Sequence, residues 1–423
     1  MTTDIILGAG VAGLVTAHHL RAQGRDVVVL EAGHRAGGVV RTRTHDGLVL
    51  EQGPQSLLAT DAVLDLVDAL GLSDRLRVAD ASAAIRYVLH QGTLCAVPTS
   101  PLDAWTSPLI GPRTLLRALA EPLVPRRRSD APESVADLLR RRVGPRLLGL
   151  AEAAIGGVLA GDPALLDAEA SFPTLVRAER EAGSLARGLW RRPPRRHPTP
   201  RGSVTLAGGL STLIDALTAE LGPRLRLRTP VDRLERAGSG WVVHADTALR
   251  AERVWVCTPP WETARLVGAP WLDVPAAPVA AVHLAWPREE VPGLRGFGWL
   301  AGPAERRDAL GCLWVSSIFP GHAPGHALLR VMIGGARAPD LAALPDEALI
   351  AHARRVLAEV QGLRAPPTLA QVSVARPGIP QYPVGHARRV QQLAQPGLAF
   401  VGWGTSGIGL TNILDDAARQ TTA

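Results

Sequence analysis

An α/β fold built on a Rossmann-like, dinucleotide-binding core is predicted by three features near the start of the sequence. An apolar run, Ile5-Ile6-Leu7, leads into Gly8-Ala9-Gly10-Val11-Ala12-Gly13. A helical stretch from Gly10 to Gln23 follows, and a second apolar run, Val27-Val28-Val29-Leu30, ends at Glu31. Gly8 permits the tight turn, Gly10 lets backbone N–H groups approach a pyrophosphate, and Gly13 lets the helix lie close on the strand. The helix N-terminus supplies partial positive charge to the phosphates. Glu31 can accept both ribose hydroxyls of an adenosine, and its charge would repel a 2′-phosphate, which disfavours NADP. A lone glycine fingerprint is weak; the strand, turn, helix, strand and acid in sequence make it strong. The continuation Arg35-Ala36-Gly37-Gly38, then Arg41-Thr42, brings a second close backbone approach and nearby arginines, which points to a flavin. A phosphate-free doubly wound turn is the less favoured alternative.

The dinucleotide unit reads as discontinuous. Its first piece holds the turn Glu51-Gln52-Gly53-Pro54-Gln55-Ser56 and a helical pattern over 61–70, and residues 82–97 alternate like a hairpin turning at Gln91-Gly92. Several short helices are expected between Pro101 and Trp190, where apolar spacing is broken by Pro122, Pro125, Pro132 and Gly144-Pro145. The runs 126–128 and 140–142 are all arginine and read as solvated faces, with contact to an acidic substrate or anionic lipid as the rarer alternative. Residues 191–201 look like an exposed linker. After Leu206-Ala207-Gly208-Gly209-Leu210 a helix runs to Leu221. Strands are expected over 225–231, 241–245 and 253–258, then over 278–286, 311–319 and 328–333 for a further sheet. A helix over 346–361, a strand at 398–402 and a terminal helix close the chain. The predicted organisation is a dinucleotide domain from 1–80, 200–262 and 385–423, a mixed-sheet substrate domain from 81–100 and 263–384, and an inserted helical domain over 101–199.

Composition narrows the class. The 423 residues are 46% hydrophobic, enough for two or three packed units rather than a disordered chain. Three cysteines, Cys95, Cys257 and Cys312, are an odd number without metal-ligand spacing, which suits a reducing cytoplasm. No signal peptide or bilayer-crossing run is read, and peripheral membrane contact stays open. The net charge of +7 is carried by arginine without a single lysine. A GC-rich genome explains that better than a nucleic-acid surface does, so no nucleic-acid partner is expected. A basic protein nonetheless steers acidic substrates, and arginine pairs bidentately with carboxylates.

Taken in order, these pieces resemble the flavin-containing amine oxidase superfamily, and within it the oxygen-dependent protoporphyrinogen/coproporphyrinogen oxidase family of haem synthesis. The resemblance covers nearly the whole chain. It is carried by Gly37-Gly38-Val39-Val40-Arg41-Thr42, Glu51-Gln52-Gly53-Pro54, the block from Gly156 to Pro163, and Glu181-Ala182-Gly183-Ser184-Leu185. Later motifs are Gly296-Phe297-Gly298-Trp299-Leu300, Ser316-Ser317-Ile318-Phe319-Pro320, Ile379-Pro380-Gln381-Tyr382 with Gly385-His386, and Gly407-Ile408-Gly409-Leu410.

The resemblance implies non-covalent FAD, held by Gly8, Ala9, Gly10, Val11, Ala12 and Gly13, by Glu31 and Ala32, by Gly37, Gly38 and Val39, and by Gly53, Pro54, Gln55 and Ser56. Val231 would meet the adenine through its backbone, and Gly402, Ile408, Gly409 and Leu410 would approach the isoalloxazine. The C-terminal turn carries no cysteine for covalent attachment. For the substrate, the resemblance implies that Leu300 and Met332 sandwich a pyrrole ring, that the Gly157 carbonyl accepts from pyrrole N–H groups, and that Arg86 pairs with a propionate. The alternatives are core strand residues, a helix-breaking turn and an exposed strand arginine. No catalytic base and no metal site are assigned. Arg35 and Arg41 either counter the pyrophosphate or brace the Gly37-Gly38 loop.

The expected reaction is oxidation of coproporphyrinogen III to coproporphyrin III with oxygen as acceptor and hydrogen peroxide as product, with protoporphyrinogen IX as the alternative substrate. The partners expected are the porphyrinogen, oxygen, a membrane surface and another haem-pathway enzyme, in a cytoplasmic monomer or homodimer. An amine oxidase is disfavoured by the absence of lysine and by having only two tyrosines, Tyr87 and Tyr382. A carotenoid desaturase leaves Arg86 and the Gly156–Pro163 block unexplained, and a non-catalytic flavin scaffold is the reading from a different class.

Overall fold

Five strands from distant parts of the chain build the parallel sheet behind the glycine turn. Their order is Leu225–Arg226, Asp26–Leu30, Thr3–Leu7, Arg253–Val256, Leu398–Phe400, and every pairing is parallel. The computed structural model describes residues 3–190, 196–199, 201–302, 305, 309–405 and 407–422. Alternate side chains leave opposite faces of a strand. Ile6, Val27, Val29 and Trp255 meet the helices Val11–Ala22, Ser211–Leu221 and Leu410–Thr422 on one face. Ile5, Leu7, Val254 and Val256 meet a three-stranded antiparallel sheet (Arg233–Ala237, Gly240–His244, Ala248–Ala251) on the other. Trp255 is buried whole because its indole nitrogen donates to Asp4 at 2.9 Å.

A second, seven-stranded sheet is mixed. Its order is Leu369–Pro380, Ala276–Pro287, His326–Gly334, Gly311–Leu313, Gly298–Ala301, Tyr87–His90, Thr93–Ala96, with one parallel pairing, Gly298–Ala301 on Tyr87–His90. One face presents Val282, Trp299, Cys312 and Val331 to the helix Asp346–Gln361. Gln361 at that helix's end accepts from the indoles of both Trp299 and Trp314, at 2.7 and 3.0 Å. The register sets Leu300, Gly311, Met332, Ala281 and Ser373 in one row on the opposite face. Leu328 and Ala285 on that same face pack on Leu48 and Leu50, which ties this sheet to the dinucleotide-binding part.

Short helices fill the segment between 101 and 190. They include Gly111–Leu119, Val135–Val143, Pro145–Leu159 and Pro173–Ala182. Arg142, 0% exposed, lies at their centre and donates through Nε to Glu121 at 2.6 Å. Burial favours the neutral form of Glu121, but hydrogen bonds from Ser184, Leu185, Ala186 and Arg142 outweigh it and hold its pKa below the ordinary value. Arg141 bridges Glu133 and Glu179. The reading of 140–142 as a solvated face therefore holds only for Arg140; the other two arginines are structural cross-links between helices.

Three further expectations are corrected. The strand expected over 225–231 ends at Arg226, because Thr229 and Arg228 turn back to donate to Glu31 and Gly33. The strand expected over 311–319 stops at Leu313, and Val315–Ile318 forms a helical turn buried on all sides. Leu369–Pro380, with no strand expected, is a twelve-residue edge strand. The expected linker over 191–201 lies largely outside the described residues, and so does Ser406.

Candidate active site

A cavity of about 870 Å³ opens where the glycine turn, the Arg35–Arg41 loop and the edge of the second sheet converge. Strand Thr3–Leu7 ends at Gly8, whose N–H donates to Leu30 at 2.8 Å and so anchors the turn to the neighbouring strand. A Cβ on Gly13 would lie 1.9 Å from the Gly8 carbonyl oxygen, so only glycine lets the helix start this close to the strand. The second glycine segment is knitted onto the first. Gly37 N–H donates to the Ala9 carbonyl at 2.7 Å, and a Cβ on Gly38 would stand 3.2 Å from the Gly10 Cα.

Glu31 is the chemically decisive wall residue. One carboxylate oxygen accepts from Ala9 N–H and the other from Gly33 N–H, each at 2.7 Å. The carboxylate is thereby fixed in orientation, and each oxygen keeps a free lone pair toward the cavity it lines. Val231 also lines the cavity; its carbonyl is held by Arg265 at 2.7 Å. Sequence reasoning missed Arg265, Trp261 and the strand segment 373–378 as wall residues.

Of the cofactor residues expected from sequence, Gly8, Gly10, Val11, Ala12, Glu31, Ala32, Gly37, Gly38, Val39, Gly53, Pro54, Val231, Ile408 and Leu410 line the cavity. Ala9 and Gly13 stand behind it, holding the Glu31 carboxylate and the turn. Gly402 is backed by the Ala12 side chain, which a Cβ would approach to 2.8 Å. Gly409 accepts the first hydrogen bond of the terminal helix, from Ile413 at 3.1 Å, so that helix starts at the cavity wall. Gln55 is buried behind the wall, and Ser56 follows it just before the short strand Leu57–Leu58. Trp403 lines the wall beside Ile408; its indole donates to the Ile408 carbonyl at 3.0 Å, and its own carbonyl accepts from Tyr382 at 2.6 Å. Arg35 donates to the carbonyls of Ala36 and Gly38 at 3.1 and 2.8 Å, so it braces its loop. Arg41 lines the cavity without an ion-pair partner among the described residues.

A buried polar cluster supports the Gly53 loop from behind. Glu51 accepts from Thr42 at 2.8 Å and from Leu210 N–H at 2.7 Å, and burial pushes its carboxyl up to about 7. Arg330 donates to the Gly53 carbonyl at 2.7 Å. Desolvation brings its guanidinium down to about 10, and desolvation first, then the charge of Arg330, brings His283 down to about 3. Only the short strand before Gly53 was visible in the sequence; the arginine that meets it lies 277 positions away.

The substrate candidates occupy the face of the second sheet opposite its helix. Leu300 pairs with Gly311 and Gly311 with Met332, so the two apolar residues stand two strands apart, and Leu300 leans over the glycine between them: a Cβ on Gly311 would lie 3.1 Å from Leu300 Cδ2. Two strand spacings are about 9.6 Å. Gly157, on the helix Pro145–Leu159, packs directly on Leu300: a Cβ there would lie 2.2 Å from Leu300 Cδ2. Met332 packs with Ala160, Ala277 and Val279. Arg86 stacks on the Phe297 ring at 5.2 Å, is exposed, and meets no carboxylate among the described residues. The structure thus brings Gly157, Leu300 and Met332 together and sets Arg86 at the start of the adjoining hairpin. His386 is buried against Tyr382, ring centroids 4.4 Å apart, and burial lowers it to about 4, so it stands neutral. Among the described residues no cluster of His, Cys, Asp and Glu is disposed to hold a metal ion.

Residues 11–411 match the model of the flavin containing amine oxidoreductases. The chain belongs to this family. Relatives within it include the chloroplastic protoporphyrinogen oxidase of Nicotiana tabacum, 31% identical over 90% of this chain and 76% of that protein. The coproporphyrinogen III oxidase of Propionibacterium freudenreichii subsp. freudenreichii is 31% identical over 98% of this chain and 89% of its own length. A solved structure from Exiguobacterium sp. 255-15, provisionally assigned as a protoporphyrinogen oxidase, superposes with a TM-score of 0.82 at 26% identity over 100% of this chain and 98% of that one.

As a family member the protein is an FAD oxidoreductase, and the cavity fits that cofactor. The fixed Glu31 carboxylate suits a ribose diol, the two facing glycine segments suit a pyrophosphate, and Arg41 supplies charge. Ile408, Leu410 and Trp403 form an apolar wall suited to a flat ring system. The terminal helix, Leu410–Thr422, begins there and turns its positive end to that wall.

Proposed function

We propose that the protein oxidises coproporphyrinogen III to coproporphyrin III in haem biosynthesis, with oxygen as the terminal acceptor and hydrogen peroxide as the second product. The observation that carries this reading is the row Leu300, Gly311, Met332. Leu300 and Met332, two strands apart across Gly311, present an apolar slot to a flat pyrrole and offer no group that competes for its protons. The names of the relatives support the same substrate class. Coproporphyrinogen III oxidases and protoporphyrinogen oxidases both match nearly end to end, so the choice of coproporphyrinogen rests on the arginine-rich helical segment, suited to a substrate with four carboxylates.

FAD held in the cavity would supply two-electron acceptor chemistry: in each of three rounds the macrocycle would give up a hydride from a methylene bridge and a proton, and oxygen would carry both away as hydrogen peroxide. The protein's own contribution is placement. Leu300 and Met332 hold the ring plane, and Gly157, by having no side chain, lets the helix Pro145–Leu159 close over Leu300. Arg86, backed by Phe297, offers its guanidinium to a propionate. The positive end of helix Leu410–Thr422 favours negative charge developing on the ring beside it. Apolar walls exclude water from the reacting edge.

For its setting, we propose a cytoplasmic enzyme in peripheral contact with the inner face of the cell membrane. Leu102, Trp105, Leu116, Leu119, Leu123 and Trp190 are exposed on neighbouring elements, Leu123 at 80% and Trp190 at 92%. No helix among the described residues is long and apolar enough to cross a bilayer.

The test is porphyrin fluorescence with coproporphyrinogen III and protoporphyrinogen IX compared by kcat/KM, with peroxide measured in parallel. At least about tenfold preference for coproporphyrinogen is expected; each carboxylate pairing lost from a desolvated site weakens binding by about 1–3 kcal/mol. A preference for protoporphyrinogen would overturn the substrate assignment, and bound flavin that neither porphyrinogen bleaches anaerobically would point to a scaffold.

A further inference from the structure

Arg330 and Met332 stand two residues apart on the strand His326–Gly334, so both side chains leave the sheet on the same face. Met332 forms one jaw of the slot. Arg330 reaches out of the sheet to the loop that follows strand Leu48–Glu51. Its Nη2 donates to the Gly53 carbonyl at 2.7 Å, and its Nη1 to Oε1 of Gln55 at 3.3 Å. Gly53 is a wall residue of the FAD cavity. It has no room to retreat, since a Cβ there would lie 1.9 Å from the Val39 carbonyl oxygen. A second strand stands behind the same loop: His283 lies directly opposite Arg330 in register and is buried with it.

Arg330 is 3% exposed, and among the described residues its Nε has no hydrogen-bond partner and no carboxylate forms an ion pair with it. Glu51, the acid that acts on it electrostatically, has its oxygens taken by Thr42 and Leu210. Burying a charge this way is costly, and an apolar side chain of similar volume would pack such a site with less desolvation. Stability alone does not account for an arginine here. What the arginine does that a methionine could not is join two rigid bodies by directional bonds at a point two residues from the slot.

We propose that Arg330 is a positioning residue that, through the Gly53–Gln55 loop, holds the Gly53 wall of the FAD cavity at a set distance from Met332. The inference rests on the reading that FAD fills the cavity and that Met332 meets the substrate. Arg330 touches neither.

The experiment compares holoprotein carrying Arg330→Met or Arg330→Lys with the unaltered holoprotein. FAD release on dilution is followed by the recovery of free-flavin fluorescence, bound flavin by visible circular dichroism, and turnover by kcat and KM for coproporphyrinogen III. Arg330→Met is expected to weaken FAD retention about tenfold to hundredfold, the range for losing hydrogen bonds from a buried charged donor. It should also alter the flavin dichroism. Arg330→Lys satisfies Gly53 but not Gln55 at once, so it should recover FAD retention in part. Its kcat should fall at least about tenfold while KM stays within about twofold, because the error lies in alignment rather than in contact. A residue that only stabilised the fold would lower thermal stability and leave FAD release, dichroism and kcat of the holoproteins unchanged; that result in Arg330→Lys overturns the proposal even if Arg330→Met does not fold. Unaltered protein that holds FAD but is not bleached by coproporphyrinogen III would refute the substrate reading and leave the FAD-release comparison decisive for Arg330. Unaltered protein that holds no FAD would end both.

Discussion

Replacing Glu51 by glutamine should flatten a pH dependence of stability that the native residue imposes. Burial, the largest influence, raises the Glu51 carboxyl from 4.5 to about 7 in the folded protein, against the opposing pull of Leu210, Thr42 and Arg330. Because the folded value lies above the unfolded one, the folded state binds the proton more tightly. The stability this carries is complete below about pH 4.5 and is lost as pH rises through about 7. A rise of about 2.5 units at 1.36 kcal/mol each gives about 3 kcal/mol, an order-of-magnitude figure for a side chain that is 1% exposed. Glutamine keeps an acceptor for Leu210 N–H and removes the titration. Urea unfolding followed by tryptophan fluorescence at saturating FAD, for both proteins at pH 5 and pH 8, isolates the residue, since other titrating groups are common to the pair. The variant is expected to gain about 2–3 kcal/mol on the native protein between the two pH values. A stability difference that stays constant with pH would refute the reasoning and mean that Glu51 remains ionised throughout.

Gly157→Ala should drive Leu300 out of its place, since the added carbon would meet Leu300 Cδ2 at 2.2 Å; overpacking of this kind costs about 1–3 kcal/mol, and a raised KM for the porphyrinogen with little change in FAD binding would confirm that Leu300 forms a jaw of the slot. Glu121→Ala strands the buried Arg142 and should destabilise the protein by about 3–5 kcal/mol in a denaturant titration, whereas Asp137→Ala, which breaks the exposed pair with Arg140, should cost less than about 1 kcal/mol beyond the loss of its helix contacts. Leu116→Glu with Leu123→Glu should abolish co-sedimentation with anionic vesicles and leave turnover in detergent unchanged; undiminished sedimentation would move membrane contact to another face.

The dinucleotide half of the site was legible because its chemistry is local. Between Ile5 and Gly38 the strand, turn, helix and acid succeed one another, so spacing alone places Glu31 against Ala9. What was not legible depends on register between distant strands. Nothing near Arg330 in the sequence points to Gly53, and the pairing exists only because Leu328 and Ala285 of the second sheet pack on Leu48 and Leu50 of the strand before Gly53. Leu369–Pro380 escaped notice because it is an edge strand. Gln371, Ser373 and Arg376 interrupt its apolar pattern, as one half-solvated side allows. The run 311–319 looks like one buried strand because every residue in it is apolar, glycine or serine up to Phe319, and periodicity cannot tell a buried strand from a buried helical turn. The arginines at 140–142 misled in the opposite way. On a helix three successive residues face three directions, so one of them points inward whatever its charge, and Glu121 meets it there.

The parallel sheet has one more implication, for how the molecule comes into being. Its middle strand, Thr3–Leu7, lies far in sequence from both edge strands, Leu225–Arg226 and Leu398–Phe400, and the last of these closes the edge beside Arg253–Val256. A nascent chain leaving the ribosome therefore carries an unfinished shelf, with the edge of Arg253–Val256 bare, until residues 398–400 have emerged. Such long-range closure is slow and leaves sticky intermediates, so yield in a foreign host should respond to chaperone supply and growth temperature more than to codon choice.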